Sequence, residues 1–370
     1  CLKEEKTPSP TREVVKTLYD AMLNLDFNTA EQDAVAKLCE AWYLSAAEAC
    51  AEVVPATIVY LLTLSVSEHG KVADMKRVWA MKSAFSLLEI GGEDFASIQD
   101  AILRAATHPN YILHKEGQSF VGFALTLKPS LTKLLHRTIK SQLPRMRTSM
   151  VSQYGEIYHS AWKKASGQAL LCIEHECLQD FANHCVNAAS PALASALRKI
   201  LGAFHSRKKF QHVDEMLHRI YEPIIWRSLQ VANPTVRKQA CLLFIEAFPV
   251  QDPEAPQAEF EQLMQRQINA LTEAMMDEEP SVREVGVQCV GRALSVFWDL
   301  IPLQTCQSLL VRLITELSFD AASSGVRAAT LRAVGCVLDN HLSHPIMQGL
   351  APHLRPHLND SSERVRVAAC

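Results

Sequence analysis

The amino-acid sequence predicts an all-α chain folded as a superhelical solenoid of stacked helix pairs. Four copies of one pattern are the first sign. In each, an acidic or amide residue and a few turn-forming residues lead into Val-Arg, which opens an apolar helix: ANPTVRKQACLLFIEAF, DEEPSVREVGVQCVGRAL, DAASSGVRAATLRAVGCVL and DSSERVRVAAC. The second sign is periodicity. Nearly every segment between turn signals, from Glu13–Leu25 onward, carries apolar residues three and four apart, which reads as about eighteen helices joined by short loops. Composition is the third: 48% hydrophobic residues, only 13 Gly, and no strand-like alternation, which fits a helical array.

In chain order, residues 1–12 (CLKEEKTPSPTR) read as a disordered linker. Within it Thr7-Pro8 and Ser9-Pro10-Thr11-Arg12 match proline-directed phosphorylation sites. Residues 13–208 read as an irregular HEAT-like helical array with a basic segment. Its longest apolar run, Val53 to Val66, contains a Pro and falls short of the about 20 residues a bilayer span requires, so it reads as a buried helix and no membrane partner is expected. Position 1 is Cys, and the chain stops at Cys370 one turn into a repeat helix. Solenoids end in polar capping repeats, so further sequence is expected beyond both ends.

Residues 209–370 read as regular HEAT/armadillo-like repeats. The steps Val236-Arg237, Val282-Arg283, Val326-Arg327 and Val365-Arg366 are 46, 44 and 39 residues apart, a two-helix repeat period. The register extends past the pair. Four residues after each Val stands a small residue, Ala240, Gly286, Thr330 or Ala369. Apolar residues follow at eight (Phe244, Val290, Val334) and twelve (Phe248, Leu294, Leu338), so one face of each second helix is tight and then bulky. Val236, Val282 and Val326 are therefore expected to be buried, with the small residues against the adjacent helix. The first helices are expected over 260–276, 303–317 and 344–358. Asp277, Asp320 and Asp360 precede the Val-Arg helices and suit either an N-terminal cap or a pairing with a neighbouring Arg; both readings stay open.

The eleven Cys occur singly, with Cys241, Cys289 and Cys336 placed on the expected packed side of repeat helices. Such cysteines behave as small buried hydrophobes in a reducing compartment, which points to cytosol or nucleus. Cys172, His175, Cys177, His184 and Cys185 cluster in sequence, but their spacing does not give paired zinc ligands, and neither metal nor cofactor is expected. Gly91-Gly92 lacks a following GK[ST], and there is no HExxH and no GxSxG, the motifs that would carry phosphate binding or hydrolysis. The sequon at Asn359-Asp-Ser361 falls at a repeat turn. Neither catalytic residues nor a small-molecule substrate are expected.

Charge is unevenly spread. Residues 1–100 and 241–370 each carry 9 basic and 16 acidic residues, whereas 101–240 carry 19 and 8. A basic middle can draw a polyanion to one stretch. In SLTKLLHRTIKSQLPRMR, Lys133, Arg137 and Lys140 fall within about 60° on a helical wheel, opposite Leu131, Leu134, Leu135 and Ile139. Arg145 and Arg147 follow a break at Pro144; Lys163 and Lys164 close a later helix; Arg207, Lys208 and Lys209 form a basic turn. Several cations along a surface are what phosphate-backbone contact requires, and these ten residues are the DNA-binding candidates.

The wording of the chain also resembles a known family. The runs IYHSAWKKASGQALLCIEHECLQDF, MLHRIYEPIIWRSLQVANPTVRKQACLLFIEAFPVQDP and ELSFDAASSGVRAATLRAVGCVLDNHLSHP resemble the HEAT-repeat, G-type non-SMC subunits of condensin II. The resemblance covers residues 100–370 and extends through 13–99. A long helix around Ile157–Phe181 departs from a regular repeat. The resemblance implies a scaffold without an active site, held by the kleisin subunit of condensin II and through it linked to the SMC ATPase pair. It also implies contact with DNA and chromatin, a role in mitotic chromosome condensation, and a place in the nucleus on chromosomes. A nuclear transport receptor or a phosphatase-type scaffold would share the architecture. The basic middle argues against the acidic inner face usual in the former, and the uneven period against the latter.

Overall fold

The computed structural model describes residues 10–23, 28–89, 95–210 and 212–370. Thr7, Ser9 and the Gly91-Gly92 pair lie outside them. The described residues form twenty α-helices with intervening 3-10 and π turns and no strand, and helices that are neighbours in sequence pack on one another. The chain is all-α, as the periodicity requires. It divides into two compact units, residues 1–177 and 178–370.

The first unit comprises α1 (Pro10–Leu23), α2 (Thr29–Leu44), α3 (Val54–Ser65), α4 (Val72–Ala80), α5 (Phe95–Ala105), α6 (Pro109–Leu113), α7 (Lys115–Leu127), α8 (Pro129–Gln142), α9 (Thr148–Lys164) and α10 (Gly167–Cys172). The apolar run 53–66 becomes a 3-10 turn and then α3, whose Ile58, Leu61 and Leu62 are buried. No described helix is long and apolar enough to cross a membrane. Arg77 of α4 ties this unit together at a distance the sequence hides. Its guanidinium reaches Asp33 (2.6 Å) and Glu40 on α2 as well as Asp74 (3.6 Å) on its own helix. Further along, Tyr111 shares a 2.6 Å hydrogen bond with Ser65, and the Tyr154 hydroxyl donates to the Ala106 carbonyl at 2.8 Å. Buried hydroxyls need such partners.

The expected long helix over Ile157–Phe181 does not form. α9 stops at Lys164, and Gly167 opens α10 at φ +55°, in the left-handed region; a glycine adopts it without the Cβ clash other residues suffer. Residues Ile173–Leu178 then widen into a π-helical turn. The apolar periodicity runs on through Ala165-Ser166-Gly167, which conceals the break.

The second unit comprises α11 (Gln179–Asn187), α12 (Pro191–His205), α13 (Val213–Leu229), α14 (Pro234–Ala247), α15 (Gln257–Met275), α16 (Pro280–Val296), α17 (Leu303–Thr315), α18 (Ser324–Leu338), α19 (His344–Leu350) and α20 (Glu363–Ala369). The Val-Arg helices are α14, α16, α18 and α20, and each packs against the next. Two start on Pro at the first turn, where a missing N–H costs nothing. Val282 and Val326 are buried, as expected, and so is Val365, but Val236 is only half-buried. Unlike the later helices, α14 is preceded by the irregular α11–α13 set rather than by a Val-Arg helix, so its first turn is less covered. Cys336 is another departure: it is exposed on α18, while Cys241 and Cys289 are buried.

The small positions allow the helices to approach closely. A Cβ on Gly286 would lie 2.4 Å from the Ala274 carbonyl carbon on α15, and one on Gly291 would lie 2.6 Å from the Ala333 Cβ on α18. An aromatic chain links the bulky positions, with centroids 5.7 Å apart for Trp226–Phe244, 5.9 Å for Phe244–Phe248 and 5.2 Å for Phe248–Phe297. The expected first helix over 344–358 is α-helical only through Leu350 and continues as a 3-10 turn from Ala351 to Asn359. Pro352 and Pro356 supply no N–H for the α ladder and stop it there.

The carboxylates before the Val-Arg helices are pairing partners rather than caps, since the N-cap residues of α16, α18 and α20 are Glu279, Ser323 and Ser362. Arg237 makes two bonds to Asp277 (2.7 and 2.8 Å), Arg283 bonds Asp320 (2.9 Å), and Arg327 makes two bonds to Asp360 (2.8 and 2.9 Å). Each Arg also donates Nη1 to a carbonyl of its own preceding loop: Arg283 to Asp277 and Glu278, Arg327 to Asp320, and Arg366 to Asp360 and Ser361. The same Asp side chains accept from nearby amides, Glu279 N on Asp277, Ser323 N on Asp320 and Ser362 N on Asp360. An Arg-Asp ladder therefore links the loops that precede α16, α18 and α20.

Candidate nucleic-acid interface

Seven of the ten basic candidates lie in the first unit, built on α8, the turn after it, and α9. On α8, Leu131, Leu135 and Ile139 are buried while Lys133 and Arg137 are exposed and Lys140 is half-exposed. The amphipathic division read from the spacing is thus the one the helix adopts. His136, on the buried side, shares a 3.0 Å hydrogen bond with the Tyr158 hydroxyl, which fixes α8 against α9.

Lys133 is ion-paired. Its ammonium donates to Glu176 at 2.8 Å, and that bond raises its pKa. Both partners are about half exposed (51% each), so the pair is screened and easily exchanged for another anion. Arg145, in the 3-10 turn Leu143–Arg145, and Arg147, at the N-cap of α9, are exposed. Lys163 and Lys164 are exposed in the last turn of α9, where positive charge also complements the helix dipole. From Thr148 to Lys164 the helix rises about 24 Å, so the two clusters mark the ends of a strip rather than one patch.

The second unit holds the basic turn, and here the sequence reading needs correction. Lys208 faces inward. Its ammonium donates to the Ala247 carbonyl (2.7 Å) and the Pro249 carbonyl and pairs with Asp214 at 3.4 Å. Burial pushes its pKa down, against the support of Asp214. A lysine with three internal partners is a structural clamp and not a phosphate ligand. Arg207 is half-buried and donates to the Ala203 carbonyl at 2.7 Å, leaving Lys209 as the exposed cation of this turn. Sequence alone had no signal for this, because the carbonyls that hold Lys208 are about forty residues away.

Two exposed cations escaped the sequence reading altogether. Arg292 on α16 and Arg332 on α18 immediately flank the close Gly291–Ala333 contact, from adjacent helices. The net negative charge of residues 241–370 hides them in any segment count, because several of the acids there are spent on the ladder.

Among the described residues no group of three or more His, Cys, Asp or Glu is placed to hold a metal ion. Of the sequence cluster weighed for zinc, Cys172, Cys177 and Cys185 are buried, and desolvation raises the Cys172 thiol above its ordinary value and the Cys185 thiol to about 12. His175 and His184 are exposed. Cys172 and Cys185 are thus inert hydrophobes at neutral pH.

Comparison with known proteins follows the same line. The family described as condensin II non structural maintenance of chromosomes subunit matches residues 104–252, the stretch that contains the basic segment. Condensin-2 complex subunit G2 of Mus musculus is 37% identical over 339 residues, 91% of this chain and 30% of the relative. The Homo sapiens protein of the same name is 37% identical over 340 residues, again 91% and 30%. That of Xenopus laevis is 35% identical over 336 residues, 90% and 29%. The chain therefore spans about 30% of the length of the curated relatives it matches.

Proposed function

This chain is homologous along most of its length to condensin-2 complex subunit G2, and from that premise we propose that it is part of a non-catalytic HEAT-repeat subunit of condensin II. In this reading it is held by the kleisin subunit and through it joined to the SMC ATPase pair, and it works on chromosomes in the nucleus during mitotic condensation. Direct contact with DNA belongs to the same proposal. The observation that carries it is the exposed face of α8, with Lys133, Arg137 and Lys140 opposite buried Leu131, Leu135 and Ile139 and continued by Arg145 and Arg147. Cations in a row neutralise successive phosphates and release their counterions, which gives affinity without base reading. Lys163 and Lys164 extend the set within the first unit, and Lys209 is a separate candidate on the second; Lys208 is excluded by its inward bonds.

The assembly part is tested by purifying the full-length protein from mitotic extract. The expected result is co-purification of the condensin II kleisin and both SMC subunits. A lone monomer from such an extract would overturn the assignment.

A further inference from the structure

Between Glu116 and Glu156 the chain has no acidic residue, while Lys128, Lys133, Arg137, Lys140, Arg145 and Arg147 all fall there. An anion introduced in this stretch therefore has only cations as charged neighbours along the chain. The stretch also carries several hydroxyls, and two of them are engaged within their own helices. Ser141 Oγ donates to the Thr138 carbonyl at 2.7 Å, and Ser152 Oγ to the Thr148 carbonyl at 3.0 Å. Ser149 differs. It is exposed in the first turn of α9, and its hydroxyl makes no hydrogen bond among the described residues.

The residues around it form a recognition pattern. In RMRTSM, Arg145 and Arg147 stand four and two positions before Ser149, and Met150 follows. Side chains two apart share a side when the backbone is extended. Both guanidiniums and the Ser149 hydroxyl thus line up on one side of an extended substrate, and Thr148 falls on the other. Charge patterns of this kind are what kinases read in their substrates. The segment is already close to that shape: Met146 and Arg147 are extended, with ψ of 147° and 142°, and Arg145, Arg147 and Thr148 are exposed. Only the first two residues of α9 need to unwind, and helix ends fray readily.

We propose that Ser149 is a phosphorylation site for a kinase that selects arginine ahead of its acceptor, and that the phosphate switches off the basic strip. The γ-phosphoryl group of ATP passes to Ser149 Oγ, the hydroxyl proton goes to the kinase's catalytic aspartate, and ADP leaves. The product carries about −2 charge and three acceptor oxygens beside Arg145 and Arg147. Guanidinium and phosphate pair strongly, which withdraws both arginines from DNA. A phosphate in the first turn suits the helix dipole, so α9 stays folded. The switch rests on the DNA reading given above; the modification itself does not.

The test has two arms. Tandem mass spectrometry of the full-length protein isolated from dividing cells should find phosphate on Ser149. Phosphoserine installed genetically at position 149 of the full-length protein should weaken duplex binding about tenfold or more and flatten the log–log salt slope by about 1.8, at about 0.9 for each arginine withdrawn. Ser149→Ala should bind as the unmodified protein does, and circular dichroism should be the same for all three forms. Cellular protein without phosphate on Ser149 would overturn the modification. Superimposable salt titrations with and without the phosphate would overturn the switch and leave the DNA reading standing. An unmodified protein with no salt-dependent duplex affinity would overturn the DNA reading and the switch together.

Discussion

Gly286 of α16 and Ala274 of α15 meet backbone to backbone, with no room for a methyl group between them. This crossing sets the spacing of a helix pair at a point where no side chain can yield. Gly286→Leu should therefore destabilise the protein by about 1–3 kcal/mol, at the upper end of the range for overpacking. Thermal unfolding followed by circular dichroism measures it; an unchanged melting temperature would contradict the close crossing.

Acid should weaken the ladder at its Asp360 rung. The bonds from Arg327, against partial burial and with help from the Ser362 amide, hold the Asp360 carboxyl down to about 2. An unfolded Asp titrates near about 3.9. The folded value lies below the unfolded one, so the stabilisation is complete above about pH 4 and is lost as pH falls toward 2. Asp360→Asn should lower the melting temperature at neutral pH and flatten its fall between about pH 4 and 2; equal slopes for variant and wild type would show that the rung contributes nothing.

Lys208 should matter for stability and not for DNA. Lys208→Met leaves two carbonyls and Asp214 without their donor, a loss of about 2–4 kcal/mol for a mostly buried group. Chemical denaturation should show that loss. Duplex affinity, measured at a temperature where the variant remains folded, should stay at the wild-type value.

The α8 face should control duplex binding. Replacing Lys133, Arg137 and Lys140 by Glu should weaken binding to unrelated sequences alike and flatten the dependence on salt, by about 0.9 in the log–log slope for each phosphate no longer neutralised. All three side chains are at least partly exposed, so the helical content should not change. Superimposable salt titrations for wild type and the triple variant would place any DNA binding elsewhere.

How much of this was legible in the sequence depended on distance along the chain. The Val-Arg helices and the polarity of α8 were, because helical spacing is a local property that burial then enforces. The small residue at Gly286 could be seen as part of a register, yet its backbone contact with Ala274 lies on another helix and has no mark in the sequence. The Asp residues were ambiguous, since a cap and a ladder rung call for the same residue in the same loop. Arg77 gave no signal at all: its partners Asp33 and Glu40 are 44 and 37 residues away. Lys208 misled for the same reason, as an uninterrupted basic triplet reads as surface until its partners are known. The break at Gly167 and the 3-10 turn after Leu350 were missed because apolar periodicity continued across both.

The ladder also has a mechanical consequence. In the second unit the Val-Arg helices pack on their successors and are stitched loop to loop by Arg-Asp pairs, whereas α13, α15 and α17 have no comparable packing on one another. The repeats are bound like pages at a spine, fastened along one margin by a run of charge pairs and, between α13 and α15 on the other, by the Arg266 contacts with Trp226 and Glu222. A change of curvature within this unit should therefore strain those few contacts before it strains the spine.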